Sequence, residues 1–111
     1  MDELTREVAN FLKILSDPYS IEIIRLLKNN ELVSKDIQDL LKISQSYTSQ
    51  ELKILKQAGI INVRKDGNFK YYYVINKSIF KVLSTINSYI LELQKEKFQR
   101  MVKSDNLDKL R

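Results

Sequence analysis

Pro18, Gly59 and Gly67 are the only proline and the only glycines in 111 residues, and each stands beside a neighbour that gives it a structural meaning. Asp17-Pro18 reads as a helix start, with the carboxylate as N-cap and proline at the first helical position, where its missing N–H leaves no bond unmade. Gly59 closes a helix-period stretch and reads as a left-handed cap. Asp66-Gly67 lies between two β-favouring runs and reads as a hairpin turn. A chain this poor in turn formers is neither a many-stranded sheet protein nor a carrier of glycine-rich phosphate cradles. Helix must dominate, and the length allows one domain with one modest core.

The apolar spacing fills in the elements. Leu4, Val8, Phe11, Leu12 and Leu15 recur at helical intervals and predict an amphipathic first helix that stops near Ser16. After Asp17-Pro18, the run Ile21, Ile23, Ile24, Leu26 and Leu27 predicts a central helix reaching Asn29 and Asn30. Leu32 and Val33 are extended, and Ser34 is expected to cap a two-turn helix carrying Ile37, Leu40 and Leu41 that ends around Lys42 and Ile43. Ser44 caps the next helix, from Gln45 to Ala58. Thr48, Leu52 and Leu55 line one of its faces, while Gln45, Ser46, Ser49, Gln50 and Lys53 fall on the other. Ile60 to Lys65 and Phe69 to Ile75 form the strands around Asp66-Gly67-Asn68, and alternation through Tyr71, Tyr72 and Tyr73 is expected to bury at least one ring.

Absent residue types exclude whole classes of chemistry. With no Cys there is no disulfide, thiolate metal site or thiol switch. With no His there is no imidazole acid–base catalysis, and the nitrogen and sulfur ligands preferred by Zn, Ni and Cu are missing. The remaining nucleophiles and carboxylates form no catalytic constellation, so an enzyme is not expected. The expected chain is a binder with no cofactor and no metal. No apolar run is long enough to span a bilayer, and acids interrupt the first thirty positions, so a soluble, cytoplasmic protein without a signal peptide or membrane partner is expected.

The net charge of +5 is unevenly distributed: −3 over residues 1–41, +4 over 42–73, +1 over 74–94 and +3 over 95–111. The positive segment at 42–73 coincides with two short helices joined by a tight turn. The second opens with Ser44, Gln45, Ser46, Ser49 and Gln50, side chains short enough to sink between phosphate walls and able to bond base edges. The hairpin beyond is compact and basic at its tip, with Arg64, Lys65, Asn68 and Lys70 placed to follow a sugar–phosphate backbone. Lys42, Lys53, Lys56, Arg64, Lys65 and Lys70 are the expected phosphate contacts. Each feature also has an ordinary structural use, Ser as a cap and Lys as protection for an edge strand; their order along the chain is what joins them.

The final element, Ser78 to Val102, places Ile79, Val82, Leu83, Ile86, Ile90 and Leu93 on one stripe, mostly at three- and four-residue steps, with Phe98 five positions beyond. A helix of about 25 residues spans roughly 37 Å, more than a core with a radius of gyration of ~13 Å can cover. Its stripe therefore calls for another chain, and a homodimer is expected through Leu4, Val8 and Phe11 of the first helix and Ile79, Leu83, Ile86, Ile90 and Leu93 of the last. Residues 1–103 then form the working domain and 104–111 a frayed polar tail.

Four stretches in this order resemble the ArsR family of winged helix-turn-helix repressors, over about Phe11 to Val74. They are Leu15-Ser16-Asp17-Pro18 with Ile21, Ile24 and Leu27; Ser44 to Gln50; Leu52 to Ile61; and Arg64 to Gly67 with Tyr71-Tyr72-Tyr73. The resemblance implies a mainly helical fold with a small β-hairpin wing, dimerising through the first and last helices and presenting two recognition helices to a palindromic duplex operator. Many members sense metals through Cys in the helix before the recognition helix, or through His and carboxylates on the last helix. The stretch here is Glu31-Leu32-Val33-Ser34-Lys35-Asp36, so neither ligand set carries over. Glu51 stands where the family pattern most often has His. Beside DNA it would repel phosphate unless it accepted from a cytosine amine or paired with Arg64 or Lys53.

These observations lead to a sequence-specific, dimeric transcriptional regulator, most simply a repressor, controlled by neither metal nor thiol chemistry. The alternatives from the same residues are a non-specific architectural DNA coater and a winged-helix protein-interaction module, for which Glu51 is the best support.

Overall fold

The computed structural model describes residues 1–109, with side chains described through residue 105. Among the described residues, five helices and one hairpin follow in the order α1 (Glu3–Ile14), α2 (Pro18–Leu26), α3 (Ser34–Leu41), α4 (Gln45–Gln57), β1 (Ile61–Asp66), β2 (Phe69–Val74) and α5 (Ser78–Lys109). The chain divides into two compact units, residues 1–77 and the helix that begins at Ser78.

In the first unit, α2, α3 and α4 pack on one another, α4 packs on β1 and α3 on β2. The core they enclose holds Leu15, Ile23, Ile24, Leu27, Ile37, Leu52, Leu55, Ile60, Ile61 and Val74. These are the positions that the helical and strand periodicities turn inward. Each fully buried aliphatic side chain contributes about 1.5–3 kcal/mol relative to exposure.

The local signals act as their chemistry requires. Asp17 caps α2 by accepting from the Tyr19 backbone N–H at 2.8 Å, with Pro18 at the first helical position. Asp2 caps α1, accepting from Thr5 N–H at 2.7 Å, a bond that holds its carboxyl below the usual aspartate range. α4 ends in a Schellman motif: Gly59 N–H bonds to the Lys56 carbonyl and Ile60 N–H to that of Leu55, with Gly59 at φ +76°. Gly67 sits at φ +60° in the two-residue turn between paired Asp66 and Phe69, at the first central position where a type II′ turn requires glycine. Asp66 thus ends β1 instead of belonging to the loop.

Several boundaries move from their expected places. Ser34 does not cap α3; Val33 holds the cap position, and no side chain bonds the first turn. α2 ends at Leu26, several residues before Asn29 and Asn30. There the chain tightens, with Leu27 N–H shared between the Ile23 and Ile24 carbonyls and Lys28 N–H on Arg25. None of the three hairpin tyrosines is fully buried. All are half-buried, and Val74 is the β2 residue that enters the core. The extended Leu32 exchanges both backbone bonds with Tyr72, adding one residue of third strand to the open edge of β2.

α1 buries none of its residues, and Leu4, Val8 and Leu12 are 68%, 49% and 50% exposed. α5 continues to Lys109 rather than stopping near Val102, so the polar segment from 104 is helical as far as it is described; residues 110–111 of the expected tail lie outside the described residues. No Gly or Pro interrupts this stretch, and Arg100 pairs with Glu96 one turn away at 3.9 Å. Ile79 and Leu83 are buried. Ile86 is half-buried, and Ile90 and Leu93 are exposed. Among the described residues, no helix is long and apolar enough to cross a membrane.

Candidate nucleic-acid interface

α3 and α4 are joined by a turn of three residues whose geometry rests on Lys42. This lysine adopts φ +56° and ψ +45°, the left-handed conformation usually taken by glycine, and its N–H and that of Ile43 both bond to the Gln38 carbonyl. Ser44 then leaves the turn extended and accepts from Tyr47 N–H at 3.1 Å, starting α4.

α4 has two faces of different character. Inward lie Thr48, Glu51, Leu52 and Leu55, all buried. Thr48 satisfies its hydroxyl by donating to the Ser44 carbonyl at 2.8 Å. Outward lie Gln45, Ser46, Ser49, Gln50, Lys53 and Lys56, all exposed. Ser44 is exposed as well, with its hydroxyl 3.5 Å from that of Ser46.

Glu51 is where the sequence misleads. It lies away from the exposed face of α4 and pairs with neither Arg64 nor Lys53. It is 7% exposed and accepts a 2.5 Å hydrogen bond from the Ser20 hydroxyl of α2, which is itself fully buried. One turn earlier on α4, the Tyr47 hydroxyl donates to the Asp17 carboxylate oxygen that the helix cap leaves unused. This bond, followed by burial, pushes the Tyr47 phenol up to about 12. The Tyr47 ring meets Tyr19 edge to face at 5.6 Å. Sequence reading missed this cluster because its four polar residues are paired across about thirty positions. The available signal was the presence of Ser20 among the isoleucines of α2 and of Glu51 one turn from Tyr47.

In the wing, Lys65 and Lys70 are directly opposite in the antiparallel register, one pair inward from the turn, and both are exposed, as is Asn68 in the turn itself. Arg64 is differently placed. Its Nε lies 2.6 Å from Glu31 Oε2, its Nη1 3.8 Å from Asp66, and its guanidinium carbon 4.7 Å from the centre of the Tyr71 ring. The bond to Glu31 raises its already high pKa further. Among the described residues, Lys42, Lys53, Lys56, Lys65 and Lys70 have no carboxylate within 4.0 Å. Neither Cys nor His occurs in the chain, and among the described residues no cluster of three or more acidic groups is arranged to hold a metal ion.

A short helix, a tight turn, a second helix with a polar outer face and a two-stranded ribbon bearing lysines define a winged helix-turn-helix protein. Residues 17–63 match the profile of the bacterial regulatory protein, arsR family. The chain is 31% identical over 86 residues to an uncharacterised HTH-type transcriptional regulator of Methanocaldococcus jannaschii, covering 77% of this chain and 97% of that one. It is 38% identical over 74 residues to the arsenical resistance operon repressor of Staphylococcus aureus, covering 67% of this chain and 70% of that one. The crystal structure of Rv0081 of M. tuberculosis shares the fold, with a TM-score of 0.80 at 24% identity over 87% of this chain and 98% of that chain. This protein belongs to the arsR family, a family of DNA-binding transcriptional regulators and not of enzymes.

Proposed function

We propose that the protein is a sequence-specific repressor that binds a palindromic duplex operator as a homodimer. In this reading Gln45, Ser46, Ser49 and Gln50 reach base edges in the major groove. Lys42, Ser44, Lys53, Lys56, Lys65, Asn68 and Lys70 hold the sugar–phosphate backbone, and Arg64 joins them when it leaves Glu31. The observation that carries the reading is the division of α4: the inner face is fully engaged in the core, while the outer face carries amides, hydroxyls and lysines without carboxylate partners. Such side chains supply both the base contacts and the charge that duplex recognition needs.

The dimer forms through apolar surfaces that the single chain leaves wholly or partly uncovered, with Leu4, Val8, Ile90 and Leu93 exposed and Phe11 and Ile86 half-buried on α1 and α5. Regulation uses neither thiols nor imidazole-bound metals, since the chain carries no such groups. The protein acts in the cytoplasm, where its operator is.

Selection of bound duplexes from a random pool tests the whole reading. A palindromic consensus bound about 10³-fold or more above bulk DNA is expected, whereas a ratio near one would replace the repressor with an architectural coater. Absence of duplex binding at low salt would leave a protein-interaction module. With the consensus in hand, Gln50→Ala should relax base preference at one position of each half-site by about 1–3 kcal/mol. Lys65→Ala should weaken all sequences alike and flatten the salt dependence.

A further inference from the structure

The inner face of α4 is held by two kinds of contact. Leu52 and Leu55 pack in the core, an attraction that is strong but not directional. Tyr47 and Glu51, one turn apart, instead make directional bonds to Asp17 and Ser20, one turn apart at the start of α2. Asp17 serves two elements at once: Oδ1 caps α2 through Tyr19 N–H, and Oδ2 accepts from Tyr47. The result is a two-rung ladder between the first turns of α2 and the first two turns of α4.

Stability does not require such a ladder. A buried carboxylate gains little over an apolar side chain of similar volume, because desolvation offsets its hydrogen bond. Direction is what the ladder adds. If α4 turned by about 20° about its own axis, an atom about 6 Å from that axis would move about 2 Å, enough to break a hydrogen bond on either face. Leucines in a core tolerate a slip of this kind better than two short bonds do.

We propose that Tyr47 and Glu51 are positioning residues: the Asp17–Tyr47 and Ser20–Glu51 bonds set the rotation of α4 about its axis, and so determine which base edges Gln50, Ser49 and Ser46 meet. The inference rests on the reading of α4 as the sequence-reading helix. Neither residue touches the duplex. Both act through the outer face they orient.

The test compares full-length variants on the selected duplex and on random-sequence duplex at one salt concentration, together with the salt slope and the melting temperature. Combining Tyr47→Phe with Ser20→Ala and Glu51→Leu removes both rungs and leaves no buried polar group orphaned. The expected result is a specificity ratio about tenfold lower, with random-duplex affinity, salt slope and melting temperature close to those of the parent. Glu51→Gln keeps an acceptor for the Ser20 hydroxyl and should stay within about twofold of the parent ratio. An unchanged ratio in the folded triple variant overturns the proposal, as does a loss in Glu51→Gln as large as in the triple variant. If the triple variant does not fold, Tyr47→Phe alone decides. It keeps the ring against Tyr19 and should still lower the ratio by about threefold, and no change overturns the proposal. A parent ratio near one overturns the underlying reading of α4 as well, and this is visible before any variant is made.

Discussion

Arg64 of the wing and Glu31 of the segment before α3 form a 2.6 Å ion pair across thirty-three positions of sequence. The wing therefore presents its arginine already neutralised, while Lys65 and Lys70 beside it are not. A phosphate and Glu31 would compete for the same guanidinium.

Glu31→Gln should release Arg64. Duplex binding is expected to tighten severalfold at low salt, and the slope of log affinity against log salt should steepen by about 0.9 for each protomer that gains a phosphate contact. Titration of duplex at several salt concentrations measures both. An unchanged slope would show that Arg64 remains a strut for the wing and makes no phosphate contact.

Lys42 links stability to binding in opposite directions. Its left-handed backbone is costly for a residue with a Cβ, so Lys42→Gly should stabilise the chain by about 0.5–1 kcal/mol, net of the extra freedom glycine gives the unfolded state. The same substitution removes a cation from the turn before α4 and should weaken duplex binding. Denaturant unfolding and a binding titration on one preparation check both signs.

The hydrogen bond from Tyr47 to Asp17 has a pH signature. The phenol stays protonated to about 12 against an ordinary value of 10.0, so the folded state binds this proton more tightly than the unfolded state. Stability is therefore independent of this group below about pH 10 and falls as pH rises through about 12, because ionising the phenol costs the folded state more than the unfolded one. Near-ultraviolet titration of tyrosinate should show a late step from Tyr47, and Tyr47→Phe should remove it.

Val8 lies about half exposed on a helix that buries nothing in the single chain. Val8→Glu should place a charge in the proposed dimer surface with little effect on the fold, halving the mass seen by sedimentation equilibrium. Duplex affinity should fall steeply, because two half-sites would no longer be engaged by one particle. A dimer of undiminished stability would move the interface elsewhere.

Where an element's start or stop depends on a residue and its immediate neighbours, the sequence was enough. Asp17-Pro18, Ser44, Gly59 and Gly67 act within three or four residues of themselves, and each does in the structure what its chemistry implies. The same local reading failed at Ser34, since a residue able to cap need not stand one place before the helix, and Val33 does. It also stopped α5 too early, because a polar composition from Ser104 onward does not end a helix that meets no breaker.

The sequence by itself determined the helical class, the ribbon and the two-faced character of α4, because periodicity and turn chemistry are properties of short stretches. Only the tertiary structure decided the role of each charge. Glu51 and Arg64 both lie in the stretch whose order suggests a phosphate-facing surface, yet one is buried against Ser20 and the other is bound to Glu31. Those partners are distant in the chain, and a polar side chain takes its role from whichever group the fold brings within about 3 Å.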